Sequence, residues 1–512
     1  MKYVLAFVAS EFVNFRQAEF SALVQLQGLK FDEVITDSSP DYWLRPYLMV
    51  NLDSDAQAEA LIERSVLIKS IYHCWCDAPS FPQLLSEIAT IPTQVTDQYL
   101  SRSCTYKVVI SSANKKISHE TKLGMIEDVL NSHPKLDATV CLSNPQASST
   151  ICASLTSLSN HHLHILLDYA PKNWPKLPPD ASKDHLRHLY YGRWVATSKR
   201  CELINSYRLS DRNYLGNTSM DVRLSGIMAN VGLCRPGTLV WDPFLGTGSI
   251  VLVASIWGAY GAGSDIDYAL LHGMGMSPKA GQGKRLDDEC LRNSYAQYGL
   301  EKRFMDVVVA DVTTLHRLLR SPGVDCVVPI HEASCRDPVG LFDAILTDPP
   351  YGFRERSCRV AEKAIEREPS LVTPDRLVEI TGQSTPNPVG QGEDISENQS
   401  ILIPVPHDLP HFPHKEAYPL SETYRDLINL ADRFLRPGGR LVFWIPVKRE
   451  MNFGLNRLPT HPRLRLLCAC EQILSGRNSR YMVAMEKLKP TESDECETRD
   501  ARVISPADPV VP

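Results

Sequence analysis

Asp348-Pro349-Pro350-Tyr351 is the tetrapeptide of this chain best equipped to do chemistry, and it follows an apolar run, Phe342 to Thr347, that reads as a buried strand. A site at the carboxyl end of such a strand is where open α/β sheets bind ligands. The exocyclic amine of a nucleobase has a delocalised lone pair and is a poor nucleophile, so two acceptors aimed at its hydrogens would hold it and draw off its proton. Asp348 offers a carboxylate, and the Pro349 carbonyl offers the second acceptor. Consecutive prolines fix φ, keep the preceding residue extended and remove a competing N–H. Tyr351 supplies a flat face on which a base can stack. A plain Pro-rich turn is the other reading of these four residues taken alone.

Three upstream strand ends narrow the choice. Leu239 to Asp242 reads as a strand, Pro243-Phe244-Leu245-Gly246-Thr247-Gly248 as a glycine-rich turn, and Ile250 to Trp257 as a helix. The G-x-G-x-x-G of a dinucleotide fold lacks its third glycine here, and an acid at the strand end repels phosphate while suiting an amino-acid ammonium. A second strand, Gly261 to Asp267, brings Asp265 to the spacing expected for a carboxylate on ribose hydroxyls, with Ile266 beside it. A third, Val307 to Ala310, ends at Asp311 and Val312, placed for an adenine amino group. Three strand-end acids in this order describe a pocket for S-adenosylmethionine better than one for a nicotinamide dinucleotide.

These motifs resemble those of the class I S-adenosylmethionine-dependent amino-methyltransferases. More narrowly, the chain is similar to the catalytic subunits of eukaryotic tRNA (guanine-10-N2)-methyltransferases. The resemblance rests on Asn217-Thr218-Ser219-Met220-Asp221, Leu224 to Asn230, Asp242 to Gly248, Gly263 to Tyr268, Gln297 to Lys302 and Thr347 to Gly352, and near the N-terminus on Glu11 to Arg16 and Arg64 to Ile71. Leu245 stands where the family often has Val. The resemblance implies cofactor contacts from Thr218, Ser219, Asp242, Gly246, Thr247, Gly248, Asp265, Ile266, Asp311 and Val312, and a catalytic loop of Asp348, Pro349, Pro350 and Tyr351. It also implies a ferredoxin-like segment joined to a THUMP RNA-binding fold before the catalytic domain, and a small zinc-binding activator subunit as partner in a heterodimer.

Composition agrees. With 512 residues and 43% hydrophobic content the chain can bury several cores. No run of 18 apolar residues occurs, which argues against a membrane span, and Lys2 to Ala9 reads as a first strand rather than a leader. Fourteen cysteines without C-x-x-C pairs fit reduced thiols in a cytoplasmic protein. His161, His162 and His164, and His407, His411 and His414, lack the setting of a zinc site, so no metal is assigned.

The net charge of −6 hides an uneven distribution. Nine basic residues against four acids lie between Lys172 and Arg212, interleaved with Trp174, Tyr190, Tyr191, Trp194 and Tyr207. That pattern suits phosphate contact with stacking, and Lys172, Arg187, Tyr191, Arg193, Trp194, Lys199 and Arg200 are the RNA-binding candidates. A solvated linker face is the plain alternative.

The expected fold class is α/β. A Rossmann-like class I methyltransferase, with a seven-stranded sheet closed by an antiparallel hairpin, follows an α+β region. The expected boundaries are an accessory region over 1–165, a basic linker over 166–212, and the methyltransferase domain over 213–488 with a disordered insertion at 357–416. A disordered acidic tail occupies 489–512. Tyr424, Leu427, Ile428, Ala431, Phe434 and Leu435 keep helical spacing, with Pro437-Gly438-Gly439 as the stop; Leu464 to Leu474 and Arg480 to Met485 read as a hairpin.

The function expected is methyl transfer from S-adenosylmethionine to guanosine N2 in tRNA, with neither DNA nor membrane as partner. A methyltransferase acting on adenine N6 or cytosine N4 of DNA or RNA would share the motif order. A protein-glutamine methyltransferase would more often carry Asn at the Asp348 position. An inactive RNA-binding scaffold would have no use for the intact acids.

Overall fold

The computed structural model describes residues 1–8, 11–35, 42–133, 137–140, 159–169, 185–279, 281–319, 340–352, 356–361, 371–372, 403–404, 415–449 and 454–489. Seven strands build a first sheet: β1 (Lys2–Phe7), β2 (Tyr47–Asn51), β3 (Ile68–Ala78), β4 (Cys104–Ala113), β5 (Thr139–Val140), β6 (Ser159–Tyr169) and β7 (Leu186–Thr197), in the order β2-β1-β3-β7-β6-β4-β5. Pairing is antiparallel except for β4 with β5 and with β6. Helices Arg16–Leu26, Asp55–Ile62, Phe81–Ala89 and His119–Ser132 accompany it. Ser54 caps the second and Ser118 the fourth, each side chain accepting from a backbone N–H of the first turn.

The expected linker is therefore a strand over much of its described length. Residues 186–197 pair with both β3 and β6 and lie inside the first sheet. Alternation explains it: Leu189 and Tyr191 join one buried cluster and Tyr190 another, so both faces of β7 are covered.

The second sheet begins with β8 (Leu239–Asp242), β9 (Tyr260–Asp265), β10 (Phe304–Val309) and β11 (Phe342–Thr347). Short strands β12 (Cys358–Val360) and β13 (Leu371–Val372) precede β14 (Ile403–Pro404) and β15 (Lys415–Ala417), which form two small ribbons, β12 with β15 and β13 with β14. The last three are β16 (Leu435–Lys448), β17 (Leu464–Ile473) and β18 (Asn478–Lys487). The second sheet runs β10-β9-β8-β11-β16-β18-β17, parallel from β10 to β16 and closed by the antiparallel β17–β18 hairpin. The insertion expected to be disordered thus contributes paired residues at 358–360, 371–372, 403–404 and 415–416; most of its remainder, and the tail from 490, lie outside the described residues.

Helix Leu420–Phe434 ends before Pro437-Gly438-Gly439, which instead falls within β16, where Gly438 takes a φ of +79° and the register with β11 shifts. Buried residues alternate across the sheet: Ala344, Leu346, Val442 and Trp444 pack to one side, and Ile345, Phe443 and Ile445 to the other. Phe15, Val66 and Leu67 of the N-terminal region join the first of these clusters, so the two sheets share buried surface.

The chain leaves β8 outward through β9 and β10, then returns to place β11 on the opposite side of β8. That reversal opens a crevice at the carboxyl ends of β8 and β11, where parallel sheets bind ligands.

Candidate active site

Both loops that carry the expected chemistry open into this crevice. After β8, Gly246 and Gly248 adopt φ of +53° and +68°, a region that favours glycine. A Cβ on Gly246 would meet nothing within 4 Å, whereas one on Gly248 would lie 2.5 Å from Leu291 Cδ1. The loop is braced from outside: the Thr247 hydroxyl pairs with Ser219 Oγ at 2.9 Å, and buried Arg212 donates to Ser249 Oγ at 2.7 Å and to the Thr247 carbonyl. Ser219 is half-buried at the loop and Thr218 exposed next to it. Arg212, counted in the basic stretch, is spent holding the turn.

Asp242 is 1% exposed. Its Oδ1 accepts from the Thr347 hydroxyl at 2.5 Å and from the Phe244 N–H at 2.9 Å. Burial outweighs these donors, and with the nearby Asp265 and Asp348 charges it pushes the carboxyl up to about 7. Asp265 at the end of β9 accepts from the Gly246 and Asp267 N–H groups at 2.8 and 2.9 Å, which fixes its orientation against the glycine turn. Ile266, Val309, Ala310, Asp311, Thr314, Leu318 and Val360 line an adjoining cavity of about 240 Å3. Asp311 accepts there from the Thr313 N–H at 2.9 Å and the Val360 N–H at 2.6 Å, while Val312 is buried in the core beside it. The cavity is mostly apolar with one carboxylate, which suits a flat heteroaromatic ring carrying an amine.

Asp348 follows β11, with its side chain 22% exposed. Pro349 is buried and Pro350 half-buried. The Tyr351 hydroxyl donates to Asp348 Oδ1, while Arg480 Nη1 reaches Asp348 Oδ2 at 3.2 Å and Tyr351 Oη at 3.0 Å. Burial and the facing carboxylate push the Tyr351 phenol well up, so it stays a donor. Thr347 ties the two halves of the crevice together by bonding Asp242 immediately before Asp348. Sequence reasoning gave Thr347 no role and passed over Arg480, which lies far along the chain in the terminal hairpin.

The loop carrying Asp348 and Tyr351, the glycine turn and the strand-end acids thus occupy one end of one sheet. Residues 1–164 match the Tmrp11 THUMP N-terminal domain family. The tRNA (guanine(10)-N(2))-methyltransferase TRMT11 of Gallus gallus is 34% identical over 490 residues, spanning 95% of this chain and 88% of that protein. The Homo sapiens protein of that name is 33% identical over 489 residues, 96% and 89% of the two chains, and that of Dictyostelium discoideum 30% over 505, 95% and 82%. The chain belongs to the TRMT11 family. TrmN from Thermus thermophilus overlaps at 14% identity and a TM-score of 0.39, covering 95% of this chain and 100% of that one, too loosely to refine the fold.

For a TRMT11-family member the tRNA-facing surface matters, and most of the basic stretch is engaged internally. Tyr191 is 1% exposed and packs against Trp75 at 5.8 Å between ring centroids, and Arg193 is 7% exposed, paired with Asp55 and 4.2 Å from the Tyr99 ring. These two point to the helix-covered side of β7, which corrects their assignment to RNA contact. Arg187 pairs with buried Asp168 at 3.3 Å, and Arg200 donates to the Val66 carbonyl at 2.9 Å and Glu11 at 3.2 Å. Lys199 meets Glu63 at 2.6 Å on the surface, and Trp194 is 36% exposed with His162 5.9 Å away. Lys172 lies outside the described residues. Among those residues no helix is long and apolar enough to cross a membrane, and no group of three or more His, Cys, Asp and Glu could hold a metal.

Proposed function

We propose that this protein methylates the exocyclic N2 of guanosine 10 in tRNA. The observation that supports it most is the 2.5 Å bond from Thr347 to Asp242, which sets a carboxylate suited to an amino-acid ammonium directly against the loop that begins at Asp348. S-adenosylmethionine, when bound, supplies an electrophilic methyl group. The chain's residues fit that molecule: Asp242 takes its ammonium, the space over Gly246 admits its methionine portion beside Thr218 and Ser219, Asp265 takes the ribose hydroxyls, and the Asp311 cavity takes the adenine.

The guanine leaves its helix to reach the crevice, at a cost of a few kcal/mol. Stacking on Tyr351, about 1–3 kcal/mol, offsets much of that. Asp348 and the Pro349 carbonyl then hold the amine, and positioning supplies much of the rate. Exposed Trp194 and Lys199 are the RNA contacts retained from the basic stretch. A small zinc-binding activator subunit completes a heterodimer, and the free thiols of the described cysteines suit the reducing cytoplasm.

Incubation with labelled S-adenosylmethionine and unmodified tRNA, a guanosine-10-to-adenosine transcript or duplex DNA tests the reading. Label confined to the first substrate supports it; label on DNA overturns it. Addition of the activator subunit should raise the rate, and full activity of the chain alone would remove that partner from the proposal.

A further inference from the structure

Arg480 sits on β18 with its side chain 12% exposed and fully committed to the catalytic loop and its surroundings. Nη1 contacts both Asp348 Oδ2 and Tyr351 Oη, Nε donates to Gln472 Oε1 on β17 at 2.8 Å, Nη2 lies 3.6 Å from Met220 Sδ, and the guanidinium rests 4.0 Å from the Trp444 ring centroid on β16. Three elements of the sheet therefore fix this cation, so it is preorganised rather than carried on a mobile stem. Tyr351, in turn, closes Asp348 Oδ1 with its own hydroxyl.

We propose that Arg480 is a positioning residue that holds Asp348 ionised and pinned at Oδ2, leaving the Tyr351 hydroxyl on Oδ1 as the group an incoming amine displaces. The inference rests on the reading that Asp348 accepts from the substrate amine. The charged and titratable groups facing Asp348 explain the need. Arg480 from β18 is attractive; Asp242, at the end of β8, repels it; Tyr351 of the same loop and Tyr424 of helix Leu420–Phe434 are buried phenols that stay neutral. Two carboxylates in one crevice disfavour each other's ionisation, and a fixed guanidinium offsets that. Displacement of one neutral hydroxyl costs less than opening an ion pair, and it frees the Tyr351 ring to lie along the base.

The test uses the full chain with its activator subunit, unmodified tRNA and labelled S-adenosylmethionine. Total incorporated label is followed as kcat and KM across pH, with nuclease mapping of the product. Arg480→Gln should lower kcat roughly tenfold or more and move the acid limb of kcat up by about one pH unit. Arg480→Lys should restore most of that limb, and cofactor affinity should change less than twofold in both. An acid limb unmoved by Arg480→Gln, or moved equally by Arg480→Lys, overturns the inference, as does a loss of cofactor affinity matching the loss of kcat. A wild type that labels tRNA elsewhere than guanosine N2 sinks the assigned amine and still yields the limb that tests Arg480.

Discussion

Asn230, on the helix preceding β8, donates its side-chain amide to the Glu19 carboxylate of the first helix at 2.8 Å, and both side chains are buried. Glu19 also accepts from the Val66 and Leu67 N–H groups and the Ser65 hydroxyl, and Asn230 accepts from Arg64 Nε at 2.7 Å. This node joins the N-terminal sheet to the methyltransferase sheet. Asn230→Leu leaves a buried carboxylate short of one donor and Arg64 short of an acceptor, at a cost of about 1–3 kcal/mol. The unfolding midpoint should fall accordingly in urea titration, and tRNA methylation should drop further than cofactor affinity. An unchanged midpoint would count against the node.

The raised carboxyl of Asp242 gives a pH prediction with a defined sign. Its folded value of about 7 exceeds the unfolded value of about 3.9. Between these values the folded chain holds a proton that the unfolded chain has lost, so stability falls as pH rises through the window and stays reduced above it. In Asp242→Asn the amide oxygen can still accept from Thr347 and Phe244. The variant should therefore be more stable than wild type at pH 8, on the order of a few kcal/mol, with the gap closing near pH 4. It should also lose cofactor binding, and wild-type affinity should weaken below about pH 7 as the carboxylate is protonated. Thermal unfolding and equilibrium binding at both pH values decide it.

Gly246 and Gly248 separate room from packing. Gly246→Ala adds a Cβ to open space at a φ of +53°, so it should cost about 1 kcal/mol of backbone strain while lowering cofactor affinity. Gly248→Ala forces Leu291 aside and should cost about 1–3 kcal/mol more. Equal unfolding midpoints in the two variants would contradict this geometry.

Asp348→Ala should retain cofactor affinity and lose turnover by two or more orders of magnitude, an effect typical of losing a proton acceptor. Equilibrium dialysis beside a methylation assay measures both. A parallel collapse of binding would reassign Asp348 to the cofactor.

Tyr191→Ala and Trp194→Ala, neighbours along β7, should differ in kind. The first opens a cavity in the first sheet's core and should cost about 3–5 kcal/mol. The second should leave the unfolding midpoint within about 0.5 kcal/mol and weaken tRNA retention in a filter assay. Unaltered retention would remove Trp194 from the RNA surface.

The sequence by itself determined the chemistry-bearing turns. The β8 and β11 loops each couple an apolar strand to Gly, Pro and Asp at short spacing, and those backbone demands are local. The helix–strand alternation that puts Asp242, Asp265 and Asp311 at successive strand ends was legible for the same reason. Tertiary structure alone decided the partners of those residues. Arg480 reaches Asp348 across 132 positions and Asn230 reaches Glu19 across 211, and no local pattern encodes such pairings. It also decided the fate of the basic stretch: charge and aromatic spacing suggested an open RNA surface, but strand pairing on both sides of β7 turned Tyr191 and Arg193 inward. A side chain's type states what it can bind; which neighbours satisfy it depends on how distant strands register.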